Sequence, residues 1–131
     1  MKRLIQGIKI ACWFLIGLGL VHLIGTPIAL SYFNQLPKDQ YRVVLFMYLA
    51  AGFALMYPGV ITLFNIAALT RGSQKAGKTT LACSVYALLL AVLAVITMSD
   101  NPFSYLALGI GLAFIVLACL LKKYCRERFL V

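Results

Sequence analysis

Residues 103–121 read FSYLALGIGLAFIVLACLL, an apolar stretch without a single charged side chain. An α-helix needs about 20 mostly apolar residues to cross the hydrocarbon of a bilayer. The stretch approaches that length, and it lacks the alternation of apolar and polar residues that marks a barrel strand. Because only helices and closed barrels satisfy their backbone groups inside lipid, the segment predicts a transmembrane helix.

Three more segments of the chain have the same character. The four predicted spans are residues 10–30, 43–69, 81–98 and 103–121. Hydrophobic residues make up 63% of the 131 residues and charged residues only 11%, whereas soluble proteins carry about 25% charged residues. We therefore expect one all-α domain over residues 1–131, an integral membrane bundle of four transmembrane helices with short loops.

The first span follows a basic start, Met1-Lys2-Arg3, which is also a property of secretory signal peptides. The apolar core of a signal peptide is about 7–15 residues long, which is shorter than the first apolar segment of this chain. We therefore expect this segment to be retained as the first span.

The charged residues are distributed unevenly between the two sides of the predicted bundle. Basic residues cluster before span one, between spans two and three, and after span four, namely Lys2, Arg3, Lys9, Arg71, Lys75, Lys78, Lys122, Lys123, Arg126 and Arg128. The opposite side holds only Lys38, Asp39, Arg42 and Asp100. Because cytoplasmic loops carry the excess of basic residues, both termini are expected in the cytoplasm, N-in/C-in. The net charge of +9 then reflects topology and attraction to anionic lipids, with no nucleic acid partner.

Four cysteines are present, and none forms a Cys-x-x-Cys pair. Cys12, Cys83 and Cys119 fall within predicted spans, where free cysteine behaves as a small apolar side chain. Cys125 lies in the basic tail, and cysteines beside a membrane are acceptors for S-acylation. We expect no metal site, since no second His, Asp or Glu lies near the depth of His22 in the predicted spans.

Residues 72–79 read GSQKAGKT, a literal match to the phosphate-loop pattern G-x-x-x-x-G-K-[ST]. That pattern binds nucleotides only between a core strand and a helix, whereas here it joins two predicted membrane helices. We therefore reject nucleotide hydrolysis. The N-terminus of a helix favours anions, so Lys75 and Lys78 beside it are candidate contacts for an anionic lipid phosphate. The alternative interpretation is a basic loop that only fixes topology.

His22 is the only readily titratable side chain well inside a predicted span. Ionisable residues at such depth are costly and often functional. Tyr48 is the nearest tyrosine by expected depth, and Tyr57-Pro58 marks a break in span two of the kind that transporters place at binding sites. His22, Tyr48, Tyr57 and Pro58 therefore form a candidate ligand or proton site. The alternative is a neutral structural histidine, hydrogen-bonded to a tyrosine or to the carbonyl freed by Pro27.

Small residues recur at four-residue spacing, which favours close packing of helices in lipid. The pairs are Gly7/Ala11, Ala50/Ala54, Ala87/Ala91, Ala107/Gly111 and Gly109/Ala113. No pair of groups with separate acid and base roles is visible, so we expect neither an enzyme nor a bound cofactor.

Together these features favour a non-enzymatic membrane subunit that packs against other membrane chains or against its own copies. The alternative function is a small transporter or a ligand-binding or lipid-binding membrane protein with its site near His22. The small size of the chain and the absence of targeting signals favour a multi-pass protein of the bacterial inner membrane.

Overall fold

The computed structural model describes residues 1–127, the last three by their backbone alone. The described chain folds into α1 (Lys2–Ser31), α2 (Lys38–Phe64), α3 (Ile66–Thr70), α4 (Gln74–Thr97) and α5 (Pro102–Glu127). Every helix except α3 is long and apolar enough to span a membrane, which suggests a multi-pass membrane protein. The side chains of Cys125 and Arg126, and the whole of Arg128, lie outside the described residues.

The four long helices form a ring in which each packs against two neighbours. α1 packs most extensively on α2, and α4 packs most extensively on α5, so the bundle consists of two helical hairpins. The hairpins meet along two less extensive seams, α1 against α5 and α2 against α4. We call the end with the connections 32–37 and 98–101 the loop end. The other end, which carries α3 and the clustered lysines and arginines, is the basic end.

The contact between α1 and α2 is close because glycines leave no side chain between the two backbones. A Cβ atom added at Gly19 would lie 2.7 Å from the carbonyl oxygen of Gly52. A Cβ atom added at Gly59 would lie 2.7 Å from the carbonyl oxygen of Cys12. The two contacts are seven residues apart on each helix, which is about two turns, so they lie on one face. In lipid, where apolar surface gives little drive for association, such packing is a main source of attraction between helices.

The buried core lies in the half of the bundle nearer the basic end. Its largest fully buried apolar side chains come from α1, α3 and α5, and they are Ile8, Leu15, Leu69, Phe114 and Leu121. α1 packs against both α3 and α5 around this region, whereas fewer side chains are buried towards the loop end.

Both intrahelical prolines are accommodated without ending their helices. α1 continues past Pro27 to Ser31, and α2 continues past Pro58 to Phe64. A proline provides no amide for the carbonyl four residues earlier. Directly before Pro27, the Thr26 hydroxyl donates a hydrogen bond of 3.0 Å to the carbonyl of His22, one turn earlier.

The apolar run 43–69, expected as one span, is divided between two helices at Asn65. α2 ends at Phe64, and residues 66–70 form the separate short helix α3. The Asn65 side-chain amide donates to the Ile61 carbonyl at 2.8 Å. Asparagine side chains compete in this way with backbone hydrogen bonds, which favours a helix end.

Candidate functional site

His22 lies on the face of α1 that also carries Ile8 and Leu15. The three residues are seven apart, so they lie nearly in line along the helix. Ile8 and Leu15 are fully buried, but His22 is only half-buried. Its neighbour Val21 shares the wall of a groove with Phe103 in the first turn of α5. His22 therefore lies near the loop end of the bundle, in line with the buried face of α1.

The His22 imidazole stacks on the ring of Tyr48 in α2. The ring centroids are 5.5 Å apart, and the planes differ by 16°. Phe33, which follows α1, lies against Tyr48 with a centroid distance of 6.5 Å. The Nε2 atom of His22 is buried and has no hydrogen-bond partner among the described residues. A buried polar atom without a partner costs about 1–3 kcal/mol, so this nitrogen is an unusual feature of the bundle.

The other two candidate residues on α2 lie apart from His22. Tyr57 is nine residues beyond Tyr48, which is about 14 Å along the axis and half a rotation around the helix. Its side chain is 58% exposed on the outside of the bundle. There it meets Tyr86 of α4 edge to face, with a centroid distance of 6.1 Å. Pro58 is buried next to Gly59, at the contact with α1.

The four residues are therefore divided between three places in the bundle, since Pro58 lies buried at the contact with α1. His22 and Tyr48 form one group inside the loop end, and Tyr57 belongs to a second, external group with Tyr86. Tyr86 was not among the predicted site residues. Tyrosines of membrane proteins concentrate at the two interfaces, so a tyrosine in the middle of a predicted span is unusual. This position is the sequence signal that could have identified Tyr86.

The segment that matches the phosphate-loop pattern forms a corner between two helices. Gly72 has φ of +79°, the left-handed conformation that glycine adopts at helix ends. The Gly72 and Ser73 amides donate to the carbonyls of Leu69 and Ala68 at 2.9 and 3.0 Å, and these bonds end α3. The Ser73 hydroxyl accepts a hydrogen bond from the Ala76 amide at 3.4 Å, and so caps α4. The rest of the segment is already helical, unlike the loop of a nucleotide-binding site.

Lys75 and Lys78 lie in the first turns of α4, and both are exposed at the basic end. They are three residues apart, so their side chains leave the helix on neighbouring positions of one face. Lipid contact by these two lysines stays a prediction.

Deeper in the bundle, the fully buried Thr80 hydroxyl has no hydrogen-bond partner in the described part of the chain. The fully buried Thr62 hydroxyl lies beside the Cys12 and Cys83 thiols. Cys12 and Cys83 are buried free thiols, and Cys119 is exposed. Within residues 1–127, no three His, Cys, Asp or Glu side chains come together as a group that could hold a metal ion.

A groove of about 420 Å³ lies on the outside of the bundle between α1 and α5. Its walls are the side chains of Ile10, Trp13, Phe14, Gly17, Leu18, Val21, Phe103, Leu106 and Ile110. All of these residues are apolar, so the groove resembles the lipid-facing surface around it.

No protein-family model, no curated protein and no solved structure matches the chain. A proposal for the function therefore rests on the contacts described above.

Proposed function

We propose that the chain is a small non-enzymatic membrane subunit that packs laterally against other membrane chains or against its own copies. The observation that carries this proposal is the outer face of α2, the least covered of the four long helices. Exposed residues follow one another at spacings of three and four along this face, and we call them the α2 stripe: Val43, Phe46, Ala50, Phe53 and Tyr57. Spacings that alternate between three and four residues are typical of the helix face that packs against another helix.

The proposed orientation places both termini in the cytoplasm, in a bacterial inner membrane. The distribution of charge in the folded bundle supports it. Exposed lysines and arginines concentrate at the basic end, where they can also attract anionic lipids. At the loop end, the two basic residues Lys38 and Arg42 are balanced by Asp39 and Asp100, and Arg42 lies 4.0 Å from Asp39.

Native mass spectrometry of the complex, extracted gently from its source membrane, tests the proposal. We expect a second chain or more than one copy of this chain in a fixed ratio. In the Phe53→Ala variant we expect less of this assembly, because a large side chain is lost from the α2 stripe. Phe14→Ala is the matched control, since Phe14 on α1 is exposed to a similar extent, 58% against 62% for Phe53. A chain that is alone and monomeric under all mild extraction conditions would contradict the proposal.

A second candidate function is a small transporter or ligand-binding protein, and the geometry of His22 favours it. The buried Nε2 atom lacks a partner among the described residues, and its ring stacks on Tyr48 in the half of the bundle where fewer side chains are buried. A transported proton or a bound polar group at Nε2 would supply the missing interaction.

The His22→Phe variant tests this second function, because it keeps a ring stacked on Tyr48 and removes the nitrogen. We expect wild-type protein in liposomes to carry protons under an imposed membrane potential, measured with an internal pH dye, and the variant to lose this flux. Tyr48→Phe is the control that leaves both rings in place. Wild-type liposomes that behave like empty ones would count against the proton route, and equal flux in His22→Phe would remove His22 from it.

A further inference from the structure

Tyr57 and Tyr86 form a pair of tyrosines on the outside of the bundle, at the seam between α2 and α4. The pair lies far from either membrane interface. Tyr86 is twelve residues from the start of α4 and eleven from its end, or about 17 Å from each. Tyr57 lies at the same level, because its ring touches that of Tyr86. A tyrosine side chain is too short to reach the interface from this depth.

The hydroxyl groups of this pair have no hydrogen-bond partner among the described residues. Both side chains are exposed, Tyr57 by 58% and Tyr86 by 39%. Among the described residues, the two side chains contact each other through their rings, and neither hydroxyl makes a hydrogen bond. Lipid tails offer no hydrogen-bonding group, so a phenol hydroxyl facing them stays unsatisfied. A partner surface with a polar group at this depth would satisfy both hydroxyls.

We propose that the covering surface is a second copy of this chain, docked through the same face. This inference rests on the proposed function, and it names the partner and the surface. The docking surface, called here the α2–α4 patch, consists of exposed residues on the two adjoining helices: Phe53, Tyr57, Ala82, Tyr86, Leu89 and Leu93.

Two physical arguments select a second copy. Copies inserted with the same orientation pair around a twofold axis along the membrane normal, so each residue meets residues of its own depth in the partner. The tyrosine pair of one copy then faces the pair of the other. A phenol hydroxyl both donates and accepts a hydrogen bond, so each pair supplies what the other lacks.

The α2–α4 patch also continues the α2 stripe through Phe53 and Tyr57. Large side chains flank the tyrosines on the loop side of the patch, and the small Ala82 lies one turn from Tyr86 towards the basic end. Small residues beside a polar contact let helices approach closely in lipid. The seam between α2 and α4 is also one of the two less extensive contacts of the ring, so the partner copy would reinforce it.

The first test removes the hydroxyls and keeps the rings, in the double variant Tyr57→Phe/Tyr86→Phe. Labelled protein is reconstituted into liposomes at increasing protein density, and the dimer fraction is counted by single-molecule photobleaching. We expect dimerisation to weaken by about tenfold, as for the loss of a few interhelical hydrogen bonds in a membrane. The matched control is Tyr105→Phe, which removes an exposed hydroxyl of α5 outside the patch and should leave dimerisation unchanged. Equal dimerisation of the double variant and wild type would overturn the role of the pair.

The second test locates the contact by placing a photo-crosslinking phenylalanine analogue at Phe53 or at Phe14 in the full chain in native membranes. We expect crosslinks between two copies from position 53 and not from position 14. Crosslinks from position 53 only to a different protein would overturn the second copy while the proposed subunit function stands. Crosslinks between copies only from position 14 would place the dimer on another face and overturn the patch. A chain without crosslinks that is also monomeric at every density would overturn both this inference and the proposed function.

Discussion

Replacing Gly19 with alanine is expected to lower the free energy of unfolding of the bundle by about 1–3 kcal/mol, the usual cost of overpacking a close contact. The added Cβ atom would lie 2.7 Å from the carbonyl oxygen of Gly52 and would also press on the side chain of Met56. The Gly52 oxygen belongs to the backbone of α2, so it cannot rotate away. The two helices would have to separate, and the nearby Gly59 contact would loosen with them.

Gly17→Ala is the matched control for this substitution, since Gly17 lies one half-turn away on the same helix. A Cβ atom at Gly17 would meet nothing within 4 Å, and alanine in place of glycine within a helix stabilises by about 0.5–1 kcal/mol. Titration with a denaturing detergent, followed by circular dichroism, would measure both variants. Two variants of equal stability would show that the α1–α2 backbones are not in close contact.

Phe114→Ala is expected to lower the free energy of unfolding by about 2–3 kcal/mol, at or below the lower limit of the range for truncating a buried phenylalanine in a soluble protein. Phe114 has no exposed surface and is among the largest fully buried side chains of the core. When the helices separate in a bilayer, lipid tails still surround the Phe114 ring. The substitution therefore costs little hydrophobic transfer energy. The substitution instead removes the packing contacts of the Phe114 ring and leaves a cavity between α5 and α1.

The same detergent titration would compare Phe114→Ala with Phe14→Ala. Phe14 is 58% exposed on the outer face of α1, so its ring meets lipid whether or not the bundle is assembled. We expect its truncation to change stability by a few tenths of a kcal/mol at most. Equal losses in the two variants would mean that the core is not centred on Phe114.

The four long helices could be predicted from the sequence because span length and apolar composition are local properties. The tightest helix contact could not be predicted from the four-residue spacing of small residues. Gly109 of the pair Gly109/Ala113 would meet nothing within 4 Å if it carried a Cβ atom, and both residues are exposed. The α1–α2 contact uses Gly52 and Gly59, which are seven residues apart. A search for small residues at two-turn spacing on adjacent helices would have found it.

The candidate site was predictable in depth but not in orientation. The short connection between α1 and α2 fixes the register of that hairpin, so the depth count that paired His22 with Tyr48 agrees with the observed stack. Tyr57 was grouped with them by its position near Pro58. Nine residues from Tyr48 correspond to half a rotation of the helix, and this spacing directs Tyr57 away from His22. The unpaired state of Nε2 depends on contacts from another helix, which no local pattern encodes.

The hairpin of α1 and α2 leaves the ribosome before α4 and α5 are complete. Its glycine contacts involve only these two helices, so the pair can dock in the membrane without waiting for the rest of the chain. In a membrane, the second hairpin would then insert beside the docked first one, and the two seams would close last. The hairpin with the most extensive contacts would thus be synthesised first. An unpaired span would then have less time to form non-native contacts with other helices.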